Sequence, residues 1–197
     1  FPSVLPVWFF FLYSQIIDTS FRVLSSACIG IIAGVALAFP ILVNVKFDES
    51  YYQIPIYMLS SLIYSVIGIY SVVYIAFKRT ANIARTSMIA AAINFFLNVV
   101  MIRYIGLYAA SISSVAAYAV MLGIRYFDIQ KFIKIRTDKK LVLSVVCMMV
   151  LQFVAYYMRN FWVSVINFLI VVLYALYLNR NFMMEILRFI KNKFGKA

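Results

Sequence analysis

Apolar residues in this chain fall into long runs that carry no charge, separated by short clusters of basic and polar residues. Six such runs cover 24–45 (span A), 54–77 (B), 86–102 (C), 107–124 (D), 141–158 (E) and 162–178 (F). A helix that crosses the hydrocarbon core needs about 20 predominantly apolar residues. These runs come close to that length, span C being the shortest. The pattern predicts an all-α, polytopic transmembrane helical bundle with six full spans. A further apolar run, 4–17, is too short to span, lacks a basic segment before it and ends at Asp18 and Arg22. We therefore do not expect it to be a signal peptide. We expect it to be the end of a truncated transmembrane helix running from outside to inside, the alternative being a re-entrant or interfacial segment. The expected organisation is 1–20 as that helix end, 21–127 as a four-helix unit, 128–140 as a basic cytoplasmic loop, 141–178 as two peripheral spans and 179–197 as an amphipathic cytoplasmic tail.

Finer spacing adds detail. Phe182, Ile186, Ile190 and Phe194 recur at helical intervals among Arg188, Lys191, Lys193 and Lys196, as in an interfacial helix. The loop 125–140 interleaves Phe132, Ile133 and Ile135 with basic residues and is expected on the membrane surface. Tyr51, Tyr52, Tyr104, Tyr108, Tyr156, Tyr157 and Trp162 collect at one set of span ends, Tyr74, Tyr126 and Tyr177 at the other. Such rings prefer the headgroup level. Small residues form i, i+4 stripes: Ser26, Gly30, Gly34 and Ala38 on A, with Ala109, Ser113 and Ala117 on D. Ala90, Asn94 and Asn98 form another on C. Lipid gives apolar helices little drive to associate, so close approach and interhelical hydrogen bonds must supply it. We expect A to D to form the packed bundle, E and F to lie at its lipid-facing edge, and Pro40 to kink A.

Composition agrees, and charge orients the spans. Two thirds of the residues (66%) are hydrophobic and 12% charged, more apolar surface than a water-soluble domain of this length can hide. Of 18 Lys and Arg, all but Lys46, Arg103 and Arg159 fall at alternate connections. The positive-inside rule then places the first end of A and the C-terminus in the cytoplasm, in a multi-pass protein of the cytoplasmic membrane. The net charge of +12 is spread over separate loops. It reads as anchoring to anionic lipid headgroups, not as a nucleic-acid surface.

Candidate chemistry is sparse. There is no histidine, and Asp18, Asp48, Glu49, Asp128, Asp138 and Glu185 all lie outside the spans. Histidine-based triads are excluded; a carboxylate pair, a metal centre or an intramembrane proton relay is not expected. We expect no cofactor and a transporter instead of an enzyme. Cys28 and Cys147 fit small core residues. Within the spans the polar side chains of note are Asn94 and Asn98 on one face of C, Gln152 in E and Asn167 in F. Each fits interhelical hydrogen bonding; Asn94 and Asn98 also fit the lining of a hydrophilic path. Arg22, Arg85, Arg103 and Arg125 stand at span ends and fit topology anchors. The sharper reading for these four arginines is recognition of phosphate, with Arg85 the first choice at the cytoplasmic mouth of that path, Arg103 at its opposite mouth, and Arg22 beside them as a candidate for the path.

Around span C the sequence resembles a known family. Lys78-Arg79-Thr80 is followed by Ala92-Ile93-Asn94-Phe95-Phe96-Leu97-Asn98. Then come Ile102-Arg103-Tyr104-Ile105-Gly106-Leu107-Tyr108-Ala109-Ala110. With Tyr51-Tyr52 before Pro55 and the stretch from Arg125 to Lys131, this is similar to polysaccharide and O-antigen flippases of the multidrug/oligosaccharidyl-lipid/polysaccharide superfamily. The likeness covers about 22–136; Arg103 stands where that family commonly has proline and Tyr108 where it has glycine. It implies that A to F are the C-terminal lobe of a two-lobe protein whose N-terminal lobe precedes this chain. The lobes would rock to carry lipid-linked oligosaccharide across the membrane by alternating access. The family's basic cavity residues are thought to meet the pyrophosphate. Alternatives are a drug or small-molecule exporter of the same superfamily, a membrane glycan polymerase, for which the outer loops are short, and a purely structural subunit.

Overall fold

The computed structural model describes residues 7–43, 48–131, 138–184 and 188. Among the described residues there is no strand, and seven helices are bounded: α1 (Val7–Leu42), α2 (Asp48–Tyr51), α3 (Ile54–Ala76), α4 (Thr80–Ile105), α5 (Tyr108–Ile129), α6 (Lys139–Tyr157) and α7 (Phe161–Leu178), with 180–184 and 188 also helical. All but the short α2 are long and apolar enough to cross a membrane, giving six spans in an all-α polytopic bundle.

Local chemistry sets the boundaries. Pro55 opens α3, where its missing N–H costs nothing. Asp138 and Asn160 cap α6 and α7, accepting from the amides of Lys140 and Trp162, both at 3.0 Å. The α3 terminus is closed by the Arg79 amide on the Tyr74 carbonyl at 2.8 Å, with Lys78 at a left-handed φ of 55°. Between α4 and α5 the chain turns at Gly106, whose φ of 54° favours glycine.

Three expectations change. First, α1 is one continuous helix of 36 residues, so no turn separates the segment 1–20 from span A. From Val7 to Ile29 there is neither glycine nor proline to break it, and Asp18 and Arg22 sit four apart, a helix-supporting pair. At about 1.5 Å per residue it is longer than the hydrocarbon core is thick. Second, Pro40 lies in the last turn of α1, where the helix ends anyway, so it acts as a terminator. Third, spans A to D are not the packed unit. α1 packs against α6, α7 and α3, while α3, α4 and α5 pack on one another. Residues 132–137 of the basic loop, and 185–187 and 189–197 of the tail, lie outside the described residues, and with them most of the interfacial placements expected for these segments.

The α1–α6–α7 core contains Ile29, Ile32, Ala33, Val145, Met149 and Val171. The small-residue face of α1 points at α7. Asn179 donates to Ser26 at 2.9 Å, and a Cβ added at Gly34 would lie 4.0 Å from the Phe168 ring. The fit between α1 and α7 comes from a large ring set against a glycine. Polar pairs complete the unit. Gln152 and Asn167 exchange two hydrogen bonds, at 2.8 and 2.9 Å, and Ser144 meets Tyr174 at 2.9 Å. At the opposite end the tyrosines expected at the headgroup level hold one another. Tyr51 and Tyr156 stack at 4.2 Å and each donates to the other's carbonyl. Arg159 pairs with Asp48 and lies over the Tyr51 and Tyr52 rings.

Two predictions test this packing. A Cβ at Gly30 meets nothing, and at Gly34 only an ordinary contact. Gly30→Ala and Gly34→Ala should therefore keep or raise the melting temperature in detergent, by up to about 1 kcal/mol of helix propensity each; a close GxxxG contact would make both destabilising. Gln152→Leu should cost about 1 kcal/mol by leaving the Asn167 amide unpaired. The double variant Gln152→Leu/Asn167→Leu should recover most of that loss in the same melt.

Candidate functional site: a polar groove and a buried arginine

The sequence of α4 places Thr80, Ser87 and Asn94 at intervals of seven, with Asn98 one turn beyond, so a polar strip runs along one side of an otherwise apolar helix. Only Thr86 and Ala90 of α4 are buried, making it a thinly covered span. The strip borders a groove of about 610 Å³ between α4, α3 and α5, lined by Tyr64, Ser87, Asn94, Phe95, Asn98 and Tyr118 among others. Tyr64, Asn94 and Tyr118 each lie near the middle of their helices, and so near the middle of the bilayer.

The polar groups here divide into spent and open. The Asn94 amide donates to Ser114 Oγ at 3.1 Å, and its carbonyl accepts from Ser113 Oγ at 3.3 Å, tying α4 to α5. Asn98 is half-buried and makes no hydrogen bond among the described residues. The Tyr64 and Tyr118 rings sit 5.1 Å apart, tilted by 41°, and neither hydroxyl is hydrogen-bonded among the described residues. At hydrocarbon depth an open amide and two open hydroxyls cost free energy unless water or a ligand meets them.

The arginines are not where the sequence reading put them. Arg85 and Arg103 lie nine residues on either side of Asn94, roughly two and a half turns, and so on the opposite face of α4. Both are exposed. Arg22 is half-buried on α1, which does not line the groove. None of the three joins Asn94 and Asn98.

Arg125, read from sequence as an anchor, is 2% exposed. Its Nε donates to Thr86 Oγ1 at 2.9 Å. Nη1 donates to Ser71 Oγ at 2.5 Å and the Ile67 carbonyl at 3.4 Å. Nη2 donates to the Ile83 carbonyl at 3.3 Å and Ser87 Oγ at 3.1 Å. All five N–H groups of the guanidinium are used. The acceptors come from α3 and α4, so a side chain of α5 ties three helices. No carboxylate bonds it among the described residues; Asp128, one turn on, instead accepts from Tyr74 at 2.9 Å and Asn82 at 3.0 Å. A signal for this was present in the sequence. Arg125 continues the i, i+4 packing stripe of Ala109, Ser113 and Ala117 through Met121, and it became an anchor only because span D was ended at Ile124.

A second cavity, of about 620 Å³, lies between α1, α3, α5 and α6. Its lining, including Phe21, Leu62, Val66, Leu122, Val145 and Met149, suits hydrocarbon. Among the described residues no cluster of three or more His, Cys, Asp or Glu is placed to hold a metal ion. Comparison of the chain with family models, curated proteins and solved structures gives no match.

The clamp makes a prediction. Arg125→Lys keeps the charge but loses the planar fork and two donors, and should destabilise the protein by about 2–3 kcal/mol in a detergent melt. Arg85→Lys and Arg103→Lys, on the exposed face, should stay within about 0.5 kcal/mol of the parent. Equal effects at all three positions would contradict the clamp.

Proposed function

We propose that this chain is the C-terminal lobe of a flippase that moves polyprenyl-pyrophosphate-linked oligosaccharide across the cytoplasmic membrane, for O-antigen, capsule or exopolysaccharide biosynthesis. Its C-terminus lies in the cytoplasm, following the distribution of its basic residues. The observation that carries the reading is the polar groove on α4, with its open amide and tyrosine hydroxyls, at the middle of helices that otherwise present hydrocarbon to hydrocarbon. A glycan headgroup cannot leave water for lipid without losing its hydrogen bonds. A transmembrane path lined with unspent polar groups replaces them and lowers that barrier. The resemblance around span C supports the same reading, and the thin cover over α4 leaves its face available to the N-terminal lobe. In that arrangement the groove is one wall of the central cavity, and Arg125 keeps the wall rigid while the lobes rock.

The test is transbilayer movement of a fluorescent lipid-linked oligosaccharide in proteoliposomes that hold the intact protein carrying this chain, read as exposure of the label to an impermeant quencher. Asn98→Ala should slow movement about three- to tenfold, the worth of one hydrogen bond, with the protein still monodisperse. Movement no faster than in empty liposomes, across several sugar lipids, would overturn the reading.

A further inference from the structure

The groove has a chemistry that separates one part of a glycolipid headgroup from another. Among the described residues, no charged side chain lines it. The guanidinium beside it, Arg125, has no N–H left to give. Asn94 is engaged with Ser113 and Ser114. What stays open is the Asn98 carboxamide, with two donors and an acceptor oxygen, and the hydroxyls of Tyr64 and Tyr118. The Ser87 hydroxyl accepts from Arg125 and donates to nothing among the described residues, so its proton is free for the groove. Beside these groups stand the tilted faces of the Tyr64 and Tyr118 rings, with Phe95 on the same lining.

Each class of occupant meets this lining differently. An anion such as phosphate would leave water for a site with no ionised donor, forgoing the charge-assisted bonds that normally hold it. A hydrocarbon chain would leave the amide and the hydroxyls unpaired. A neutral ring bearing hydroxyls on its edge and C–H groups on its face satisfies both. The negative faces of the aromatic rings meet the C–H groups, and Asn98 both donates to and accepts from the hydroxyls. The volume, about 610 Å³, is in the range of small-ligand sites.

We infer that this groove is a binding site for a neutral sugar ring, stacked on Tyr64 and Tyr118 and hydrogen-bonded by Asn98 and Ser87, and that it does not hold the phosphate of the headgroup. The inference deepens the flippase reading, on which it rests for the identity of the substrate; binding itself is measured without transport.

The experiment places a reporter thiol in the groove, Ala91→Cys, in the intact protein freed of other cysteines and held in nanodiscs. The rate of modification by a small thiol reagent is measured alone, with dodecyl maltoside and with dodecyl phosphate, whose alkyl chains match. Dodecyl maltoside should slow modification about fivefold, equivalent to roughly 1 kcal/mol of occupancy, while dodecyl phosphate leaves it nearly unchanged. Tyr118→Leu and Asn98→Ala should each remove the protection, and Tyr118→Phe, which keeps the ring, should retain it. Equal protection by the two amphiphiles, stronger protection by the phosphate, or protection that survives Tyr118→Leu would overturn the inference. Sugar-selective protection without transbilayer movement would keep the site and remove the flippase reading; movement without such protection would do the reverse.

Discussion

A charged guanidinium in a membrane span must find every hydrogen bond it needs inside the protein, because the surrounding lipid offers none. Arg125 meets that demand with five contacts, all to neutral hydroxyls and carbonyls of α3 and α4. Taking the charge out of water costs several kcal/mol, and only a complete set of acceptors at fixed positions offsets it. The register of three helices follows. α3 presents Ser71 and the Ile67 carbonyl, α4 presents Thr86, Ser87 and the Ile83 carbonyl, and α5 brings the arginine. Once these are fixed, Tyr64, Tyr118 and the polar strip of α4 converge about two to three turns away along the bundle. The same demand organises the other half through Gln152 with Asn167, Ser144 with Tyr174 and Asn179 with Ser26.

Against that background the unspent groups carry meaning. At helix ends, near the wet interface, the side-chain amide nitrogen of Gln53 and the Oδ1 of Asn179 are buried and have no partner among the described residues. Within the spans, Asn98 and the hydroxyls of Tyr64 and Tyr118 stay open together around one groove among the described residues. A chain that satisfies a buried arginine completely and leaves an amide and two phenols open nearby has made a local exception to its own rule. Such exceptions mark places where something other than the protein completes the hydrogen bonding. Helix α4 supports this division of labour. Its Thr86 and Ala90 side is packed, its Asn98 side is polar and accessible, and its Phe96 side is apolar and bare.

The architecture was legible in the sequence because bilayer thickness imposes length and composition directly. The predicted starts and ends of spans B, E and F lie within two residues of α3, α6 and α7. The ends of C and D ran short because Arg85 and Arg125 were treated as markers of the water boundary, whereas one faces outward from within the helix and the other is buried. Helix neighbours were less legible. Small residues on α1 were matched to small residues elsewhere, and the real partner offered Phe168 to Gly34. The polar residues of the candidate site, Asn94 and Asn98, were found by their period. The arginines of that site were chosen for charge and position at span mouths, and helical phase removes Arg85 and Arg103 from the groove. The tyrosine platform was invisible, since Tyr64 and Tyr118 belong to different spans and only the fold brings them together.

The central claim is that one side of α4 borders a polar path through the membrane while the opposite side faces lipid. Single cysteines along α4 in the intact, bilayer-reconstituted protein, probed with an impermeant thiol reagent, test it most directly. The account predicts modification at positions 87, 91 and 98 and resistance at 88, 92 and 96, a helical phase that tracks the polar strip. Modification without that phase, or resistance at all six positions, would contradict it.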